Sequence, residues 1–236
     1  MKRIASVLLI LVLLIPCVAF AAVPLLGMPH EEPILFRGIK WGATREEAAK
    51  ALPAGLVMTE TKTSEYWYST SNMMFDESFN DYYKGELGCY EYTRSSNAVQ
   101  VAGYEVKDIY LYYAYHTGED GLLIKDDEHT SLLYAYYKIE PKDPAAAYND
   151  LIGKLTSLYG DVDFRQRSDS VITYTQNLWY GADGTMVSLV KADYSTGSHY
   201  IYIKYGFSGA DDLLNAAYDA VVLEERLNAA SNVDGL

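Results

Sequence analysis

Serine nucleophiles are the first chemistry to weigh, because a hydrolase needs a serine that a neighbouring base can activate. Ser208 lies in the run Gly206-Phe207-Ser208-Gly209, which lacks the spacing of a nucleophile elbow and has no histidine after it in the sequence. Ser188 and Lys191 match Ser-x-x-Lys by letter. That motif works on a helix, where residues three apart share a face, whereas this segment predicts a strand. Neither pattern indicates a serine hydrolase.

Metal-binding patterns are equally sparse. The histidines are His30, His116, His129 and His199. Neither His-x-His nor His-Glu-x-x-His occurs, which disfavours zinc. Carboxylates cluster at 119–120 and 126–128 and could hold calcium, but no segment matches the EF-hand loop. We interpret both clusters as solvated hairpin loops and predict neither a metal nor another cofactor.

Tyrosine is the unusual feature of the composition, with 23 residues that concentrate in segments predicting strands. Tyrosine suits a half-buried pleated surface, so a purely structural role is one interpretation. An exposed aromatic strip could instead form a protein interface, where tyrosine and tryptophan are enriched, or stack on sugar rings. The candidate surface residues are Tyr66, Trp67, Tyr68, Trp179 and Tyr180.

The N-terminal residues predict export from a bacterial cell. Met1-Lys2-Arg3 is basic, Ile4 to Ile15 is nearly all apolar, and Ala19-Phe20-Ala21 is a small-residue cleavage site. This pattern predicts a signal peptide over residues 1–21, with a linker over 22–33. The apolar run is too short for a membrane span, so no transmembrane segment is expected after processing. Lipid attachment through Cys17 is the less favoured alternative, because Pro16 stands where a small residue is needed.

Charge and cysteine content narrow the classes of function. The formal net charge is −13, and it becomes more negative once Lys2 and Arg3 leave with the signal peptide. So acidic a chain repels phosphate backbones and anionic lipid heads, which disfavours nucleic-acid and membrane-surface binding. Only Cys89 remains after processing, so no intrachain disulfide is expected. Its position in a predicted strand favours a buried, unreactive thiol.

The first predicted helix follows the run Leu35 to Gly42. Thr44 and Glu47 are spaced as a capping box, in which each side chain satisfies a free amide of the first turn. Pro53 and Gly55 end this helix after Leu52.

The second predicted helix has the clearest boundaries in the sequence. Asp143 caps it, Pro144 takes its first position, and Gly160 ends it. Its apolar residues recur on a single face, which must lie on a sheet. They are Tyr148, Leu151, Ile152, Leu155, Leu158 and Tyr159. A third helix is predicted over residues 211–229. Its apolar residues cover a face broad enough to pack on the domain or on a second copy.

Runs rich in aromatic and β-branched residues, separated by turn residues, predict the strands. They are 56–63, 66–68, 87–93, 98–106, 109–116, 122–125, 131–139, 171–180, 185–192 and 199–206. Residues 72–84 have no clean period and are interpreted as a loop over the core. In the run from Ile109 to Tyr115, one face carries Tyr110 and Tyr112, so that face is either partly covered or a ladder of tyrosines at the water.

The order of these elements predicts an α+β fold, with an antiparallel sheet, helices packed on one face and a C-terminal helix. Thr44 and Asp143 begin two helix-then-strands units, over 34–140 and 141–207, before a C-terminal segment over 208–236. They are interpreted either as a diverged tandem repeat or as one continuous domain. Short loops between strands disfavour a parallel sheet.

The run Phe36-Arg37-Gly38-Ile39-Lys40-Trp41-Gly42 resembles the opening of uncharacterised secreted or lipid-anchored bacterial proteins, whose mature chains often begin with FRGIPWG. Lys40 stands where those proteins often have proline. A looser echo occurs at 147–160, and the ending at 232–236 is similar too. More distantly, the chain is similar to the helix-then-antiparallel-sheet modules of the SmpA and beta-lactamase-inhibitor-protein type, which bind other proteins. The resemblance implies no catalytic residue.

These observations favour a secreted, non-enzymatic protein that binds a partner at or outside the cell envelope. The alternative is a carbohydrate-binding or carbohydrate-active extracellular protein. The partner, protein or glycan, is not specified by any motif.

Overall fold

The computed structural model describes residues 30–52, 56–68, 82–94, 99–168 and 170–233. Within those ranges the chain forms α1 (Arg45–Ala51), α2 (Pro144–Tyr159) and α3 (Ala210–Val233). The strands are β1 (Glu60–Tyr68), β2 (Tyr82–Arg94), β3 (Gln100–Val101), β4 (Tyr104–Thr117), β5 (Leu123–Ile124), β6 (Thr130–Ile139), β7 (Asp163–Ser168), β8 (Ile172–Tyr180), β9 (Thr185–Tyr194) and β10 (His199–Phe207). None of these three helices is both long and apolar enough to cross a membrane.

The strands form one sheet in the order β1-β2-β4-β6-β10-β9-β8-β7, with β3 and β5 attached to β4. All of its ladders are antiparallel. The predicted α+β class, antiparallel sheet and C-terminal helix are therefore confirmed.

Two four-stranded halves meet at the centre of the sheet. The first runs β1-β2-β4-β6 inward from one edge, and the second runs β7-β8-β9-β10 inward from the other. The last strands of the halves, β6 and β10, pair with each other. Because α1 precedes the first half and α2 precedes the second, the order fits a helix-then-strands repeat built into a single sheet.

Both predicted helix starts have the capping geometry that their sequences indicate. Thr44 Oγ1 accepts from the Glu47 amide at 3.2 Å, and Glu47 Oε2 accepts from the Thr44 amide at 3.0 Å. Asp143 Oδ1 accepts from the Ala146 amide at 3.0 Å, with Pro144 in the first turn. Gly160 has the positive φ, 81°, that glycine adopts at low cost.

One face of the sheet forms the main core beneath α1 and α2. Ala48 of α1 and Tyr148, Leu151 and Leu155 of α2 are buried there. From the sheet they meet alternate residues, which include Ile109, Leu111, Tyr113, Ala135, Tyr137, Leu189, Ile201 and Ile203. Leu158, predicted to share the apolar face of α2, is instead 62% exposed.

The segment before α1 is inserted into this core as a tight turn. Phe36 and Ile39 are fully buried, and the Ile39 amide donates to the Phe36 carbonyl at 2.9 Å. Arg37 and Gly38 make the turn with φ values of 52° and 79°, which only glycine adopts without strain. Phe36 packs on the rings of Tyr137 and Tyr205, with centroids 4.8 and 5.6 Å away.

The end of this segment is tied to β6 beyond the point where β10 stops. The Gly42 amide donates to the Leu132 carbonyl at 3.0 Å, and the Leu132 amide donates to the Ala43 carbonyl at 2.8 Å. Trp41 stacks on Phe207 at 5.6 Å and donates through Nε1 to the Ile34 carbonyl at 3.0 Å. The Phe-Arg-Gly-Ile-x-Trp-Gly run thus closes one end of the core.

Several predicted strand boundaries were wrong. The runs 56–63 and 66–68 belong largely to one strand, β1, and residues 82–84 of the predicted loop already lie in β2. The rest of that loop, 72–81, lies outside the described residues. The sequence predicts two strands, 98–106 and 109–116, with a break near residue 107. The break lies instead at Ala102 and Gly103, whose φ values of 51° and 87° form a turn. β7 was missed, since its sequence Asp-Phe-Arg-Gln-Arg-Ser has no apolar alternation.

The C-terminal helix lies on the other face of the sheet from α1 and α2. Its residues Ala210, Leu214, Ala217 and Val221 pack in a second cluster. From the sheet, that cluster contains Leu87, Ala114, Leu133 and Tyr134. The prediction of helices on one face therefore holds for α1 and α2. Where α3 packs on the opposite face, helices cover both faces of the sheet.

The turn of Phe36 gives a matched test of this packing. Phe36→Ala should lower the free energy of unfolding by about 3–5 kcal/mol, because a fully buried ring is removed from the core. Leu158→Ala is the control, since Leu158 is 62% exposed and its truncation should change stability by less than about 0.5 kcal/mol. Urea unfolding followed by circular dichroism measures both. Equal effects of the two substitutions would contradict the burial described for Phe36.

Candidate functional site

Tyrosines occupy alternate positions on four neighbouring strands at the centre of the sheet, on the face opposite α1 and α2. We name these eight residues the tyrosine face: Tyr90, Tyr92, Tyr110, Tyr112, Tyr134, Tyr136, Tyr200 and Tyr202. Six of them form two rows across β2, β4 and β6. The first row is Tyr92, Tyr110 and Tyr136, and the second row is Tyr90, Tyr112 and Tyr134.

The rings within each row are stacked. Along the first row the ring centroids are 5.6 and 4.5 Å apart, and along the second row they are 5.2 and 4.3 Å apart. The planes of neighbouring rings differ by 19° to 23° in all four pairs. This arrangement follows from the register, because directly opposite residues bring their Cβ atoms to about 5 Å. Each inner ring therefore has both of its faces against other rings.

Lysines border the tyrosine face. Lys138 Nζ lies 4.0 Å from the ring centroid of Tyr200, and Lys62 Nζ lies 5.2 Å from that of Tyr92. Lys204 Nζ is 5.7 Å from the Tyr202 ring centroid, and the edge of Tyr202 meets Tyr136 at 5.9 Å. Ammonium groups at these distances are attracted to the ring quadrupole. Lys62 also pairs with Glu60, with Nζ and Oε1 2.8 Å apart, so this border carries charges of both signs.

Some of the phenol hydroxyls of the two rows take part in hydrogen bonds within the protein. The hydroxyls of Tyr112 and Tyr136 are hydrogen-bonded to each other, and the Tyr92 hydroxyl donates to Glu60. Burial raises the pKa of Tyr112 to about 12 and holds the pKa of Tyr136 well above 10. The two rows therefore carry hydrogen-bonding hydroxyls above stacked rings.

One end of this face is closed by α3. Tyr134 is buried in the cluster that α3 forms with Ala114 and Leu133, and Tyr112 packs against that cluster. Tyr90, Tyr92, Tyr110 and Tyr200 remain partly exposed. The accessible part of the tyrosine face is therefore the side away from α3.

The residues predicted as an aromatic surface lie elsewhere. Trp179 is fully buried in the main core, and no described residue accepts a hydrogen bond from its Nε1, so it offers no surface for a ligand. Tyr180 is half-buried at the end of β8, where burial raises its pKa. Tyr66, Trp67 and Tyr68 belong to β1 by their backbone, but their side chains lie outside the part of the chain that the structure describes. The structure does not bring the described members of this set onto the tyrosine face.

A sequence signal for the tyrosine face was present. The run from Ile109 to Tyr115 already places Tyr110 and Tyr112 on one side of a strand, and the ladder of tyrosines was one of two interpretations. Tyr-x-Tyr also occurs at 90–92, 134–136 and 200–202. What the sequence does not give is the strand order, which makes these four pairs neighbours.

Cys89 lies beside a charged cluster of Arg45, Glu91 and Asp127, and these residues have a structural role. Arg45 donates to Glu91 Oε1 from Nε at 3.0 Å and from Nη2 at 2.7 Å, and it also pairs with Asp127. The Tyr113 hydroxyl donates to Glu91 Oε2 at 3.3 Å, which satisfies this buried carboxylate further. Burial raises the pKa of the Cys89 thiol to about 11, so it is protonated and weakly nucleophilic at neutral pH. Its predicted burial is confirmed.

The histidines do not assemble a hydrolytic triad in the described chain. His116 Nε2 lies 2.7 Å from Ser131 Oγ. The nearby Asp126 carboxylate does not orient His116, because its Oδ1 lies 2.7 Å from Nδ1 of His129. Ser188 and Lys191 lie on β9, where residues three apart point to opposite faces. Among the described residues, no group of three or more His, Cys, Asp or Glu side chains is arranged to hold a metal ion.

Alkaline pH should unfold the protein through its buried phenols. Burial raises the pKa of Tyr112, Tyr115 and Tyr137 to about 12, from an ordinary 10, so the folded state binds these protons more tightly than the unfolded state does. Their contribution to stability is complete below pH 10 and is lost as the pH rises towards 12. We expect the urea midpoint to fall across that interval, with part of the tyrosinate absorbance appearing only on unfolding.

The control for this titration is the chain in concentrated denaturant, whose tyrosines should ionise together near pH 10. Ionisation of all tyrosines near pH 10 in a chain that stays folded and equally stable would contradict the burial described here.

The geometry of the tyrosine face is the main guide to function, because relatives offer none. Comparison of this chain with models of protein families, with curated proteins and with solved structures finds no match.

Proposed function

We propose that this chain is a non-enzymatic protein that acts at or outside the bacterial cell envelope and binds a partner protein through the tyrosine face. The stacking of the two rows is the observation that carries this proposal. Tyrosine combines a rigid apolar ring with a polar tip, and it is enriched at protein interfaces for that reason.

Stacking also favours a protein over a sugar at this surface. A sugar ring binds by lying flat on an exposed aromatic face, whereas the faces of the inner rings here are occupied by neighbours 4.3 to 5.6 Å away. The rows present ring edges and hydroxyls instead. Hydroxyls can both donate to and accept from the peptide groups and polar side chains of a partner.

The rigidity of the tyrosine face supports the same proposal. Its rings stand on paired strands, and their χ angles are restricted by their stacked neighbours, so little conformational entropy remains to be lost on binding. Lys138 lies over the ring of Tyr200 at the border and adds positive charge that can select an acidic partner surface.

The more distant resemblance of the sequence also favours a protein partner, because modules of the SmpA and beta-lactamase-inhibitor-protein type bind other proteins. The part of the tyrosine face that α3 leaves uncovered is the surface on which we place the partner.

Site-specific photo-crosslinking tests the proposal in the cells that produce the protein. A benzoylphenylalanine residue in place of Tyr92 or Tyr200 should give an adduct with one discrete protein. Tyr104 is the matched control, because it is also half-exposed but lies beside α2, where its hydroxyl donates to Asp150 at 2.8 Å. Adducts from Tyr92 and Tyr200 alone are the expected result.

Two outcomes would contradict a protein partner at this face. One is the absence of adducts at Tyr92 and Tyr200, and the other is the same adducts at Tyr104. Retention on a glycan array that is lost on Tyr92→Ala would support the carbohydrate alternative instead.

A further inference from the structure

The outer edge of β7 is the second feature that suggests an interaction. β7 is the last strand of the sheet, and among the described residues it pairs only with β8. Phe164, in this strand, is one of the most exposed large apolar residues of the described chain, at 62%. An open edge with an exposed aromatic ring is a template for pairing with another strand.

The order of charges about Phe164 is self-complementary. The sequence reads Asp161, Val162, Asp163, Phe164, Arg165, Gln166 and Arg167, with acids on one side of the ring and arginines on the other. In an antiparallel pair centred on Phe164, residues whose numbers sum to twice 164 lie opposite each other. Asp163 of one copy then faces Arg165 of the other, and both residues lie within β7.

We propose that two copies of this chain associate through β7, with the two strands antiparallel and the two Phe164 rings opposite each other. A two-fold axis perpendicular to the sheet keeps each side chain on its own face, so the ladder continues from one sheet into the other. Such an interface is isologous, which means that the same patch serves both subunits. This inference is independent of the tyrosine face.

The charge pattern distinguishes this pairing from a merely protected edge. Edge strands are commonly shielded by charges that repel a second copy. Here, Asp163 and Arg165 stand at mirrored positions about Phe164, so that a second copy brings the aspartate of each chain to the arginine of the other. Because a six-residue edge buries less area than a standard interface, we expect a weak dimer that depends on concentration and is loosened by salt.

Charge reversal within the strand gives a sharp test by sedimentation equilibrium of the purified chain. D163R leaves Phe164 between two positive charges, and R165D leaves it between two negative charges. Each variant alone should self-associate roughly tenfold more weakly than the unaltered chain. An equimolar mixture of the two should associate again, and the double variant D163R/R165D should regain self-association, because both restore opposite charges across the axis.

Tyr180→Phe is the control for local structure. The Tyr180 hydroxyl bonds to Asp163, so D163R also removes that hydrogen bond, whereas Tyr180→Phe removes it without changing the charge of β7. This control should self-associate like the unaltered chain.

Three results would overturn the proposal. They are a monomer at every concentration, equal self-association of the two charge variants and the unaltered chain, and failure of the mixture and the double variant to restore what each single variant loses. Circular dichroism of each variant would show that the fold is retained.

Discussion

The two-residue period of the strands determines both surfaces of the sheet. Along β2, β4, β6 and β10, one set of alternate residues enters the core beneath α1 and α2, and the other set carries the tyrosine face. A shift of one residue in any of these ladders would exchange the two sets. Burial of residues such as Ile109, Leu111 and Ile203 therefore fixes where the tyrosines stand. The surface that we assign to binding is thus a consequence of how the core is packed.

Local sequence signals predicted the parts of the fold that depend on neighbouring residues. The capping box of Thr44, the Asp143-Pro144 start and the Gly160 end are all formed, because a cap needs only residues within one turn of it. The strand order could not be read in this way, since β6 and β10 are separated by a helix and three strands in the sequence. β7 could not be predicted either, because an exposed edge strand needs no alternation of apolar residues.

The difference between local signals and strand order also explains which predicted site residues lie on a surface and which do not. Trp179 and Tyr180 are adjacent and aromatic, and both looked equally suited to a surface, but their directions on β8 differ and Trp179 points into the core. Tyr110 and Tyr112 gave a local hint of the tyrosine face. Only the register joins them to Tyr136 and Tyr134, respectively, and makes two stacked rows from pairs that are distant in sequence.

The stacked register can be observed directly by proton NMR. In the first and second rows the centroids of Tyr110 and Tyr136 are 4.5 Å apart, and those of Tyr112 and Tyr134 are 4.3 Å apart. Both pairs should give strong cross-strand nuclear Overhauser effects between ring protons. Absence of these signals, or contacts that pair the Tyr110 ring with the side chain of Ala135 or Tyr137, would show a shifted register and contradict the tyrosine face.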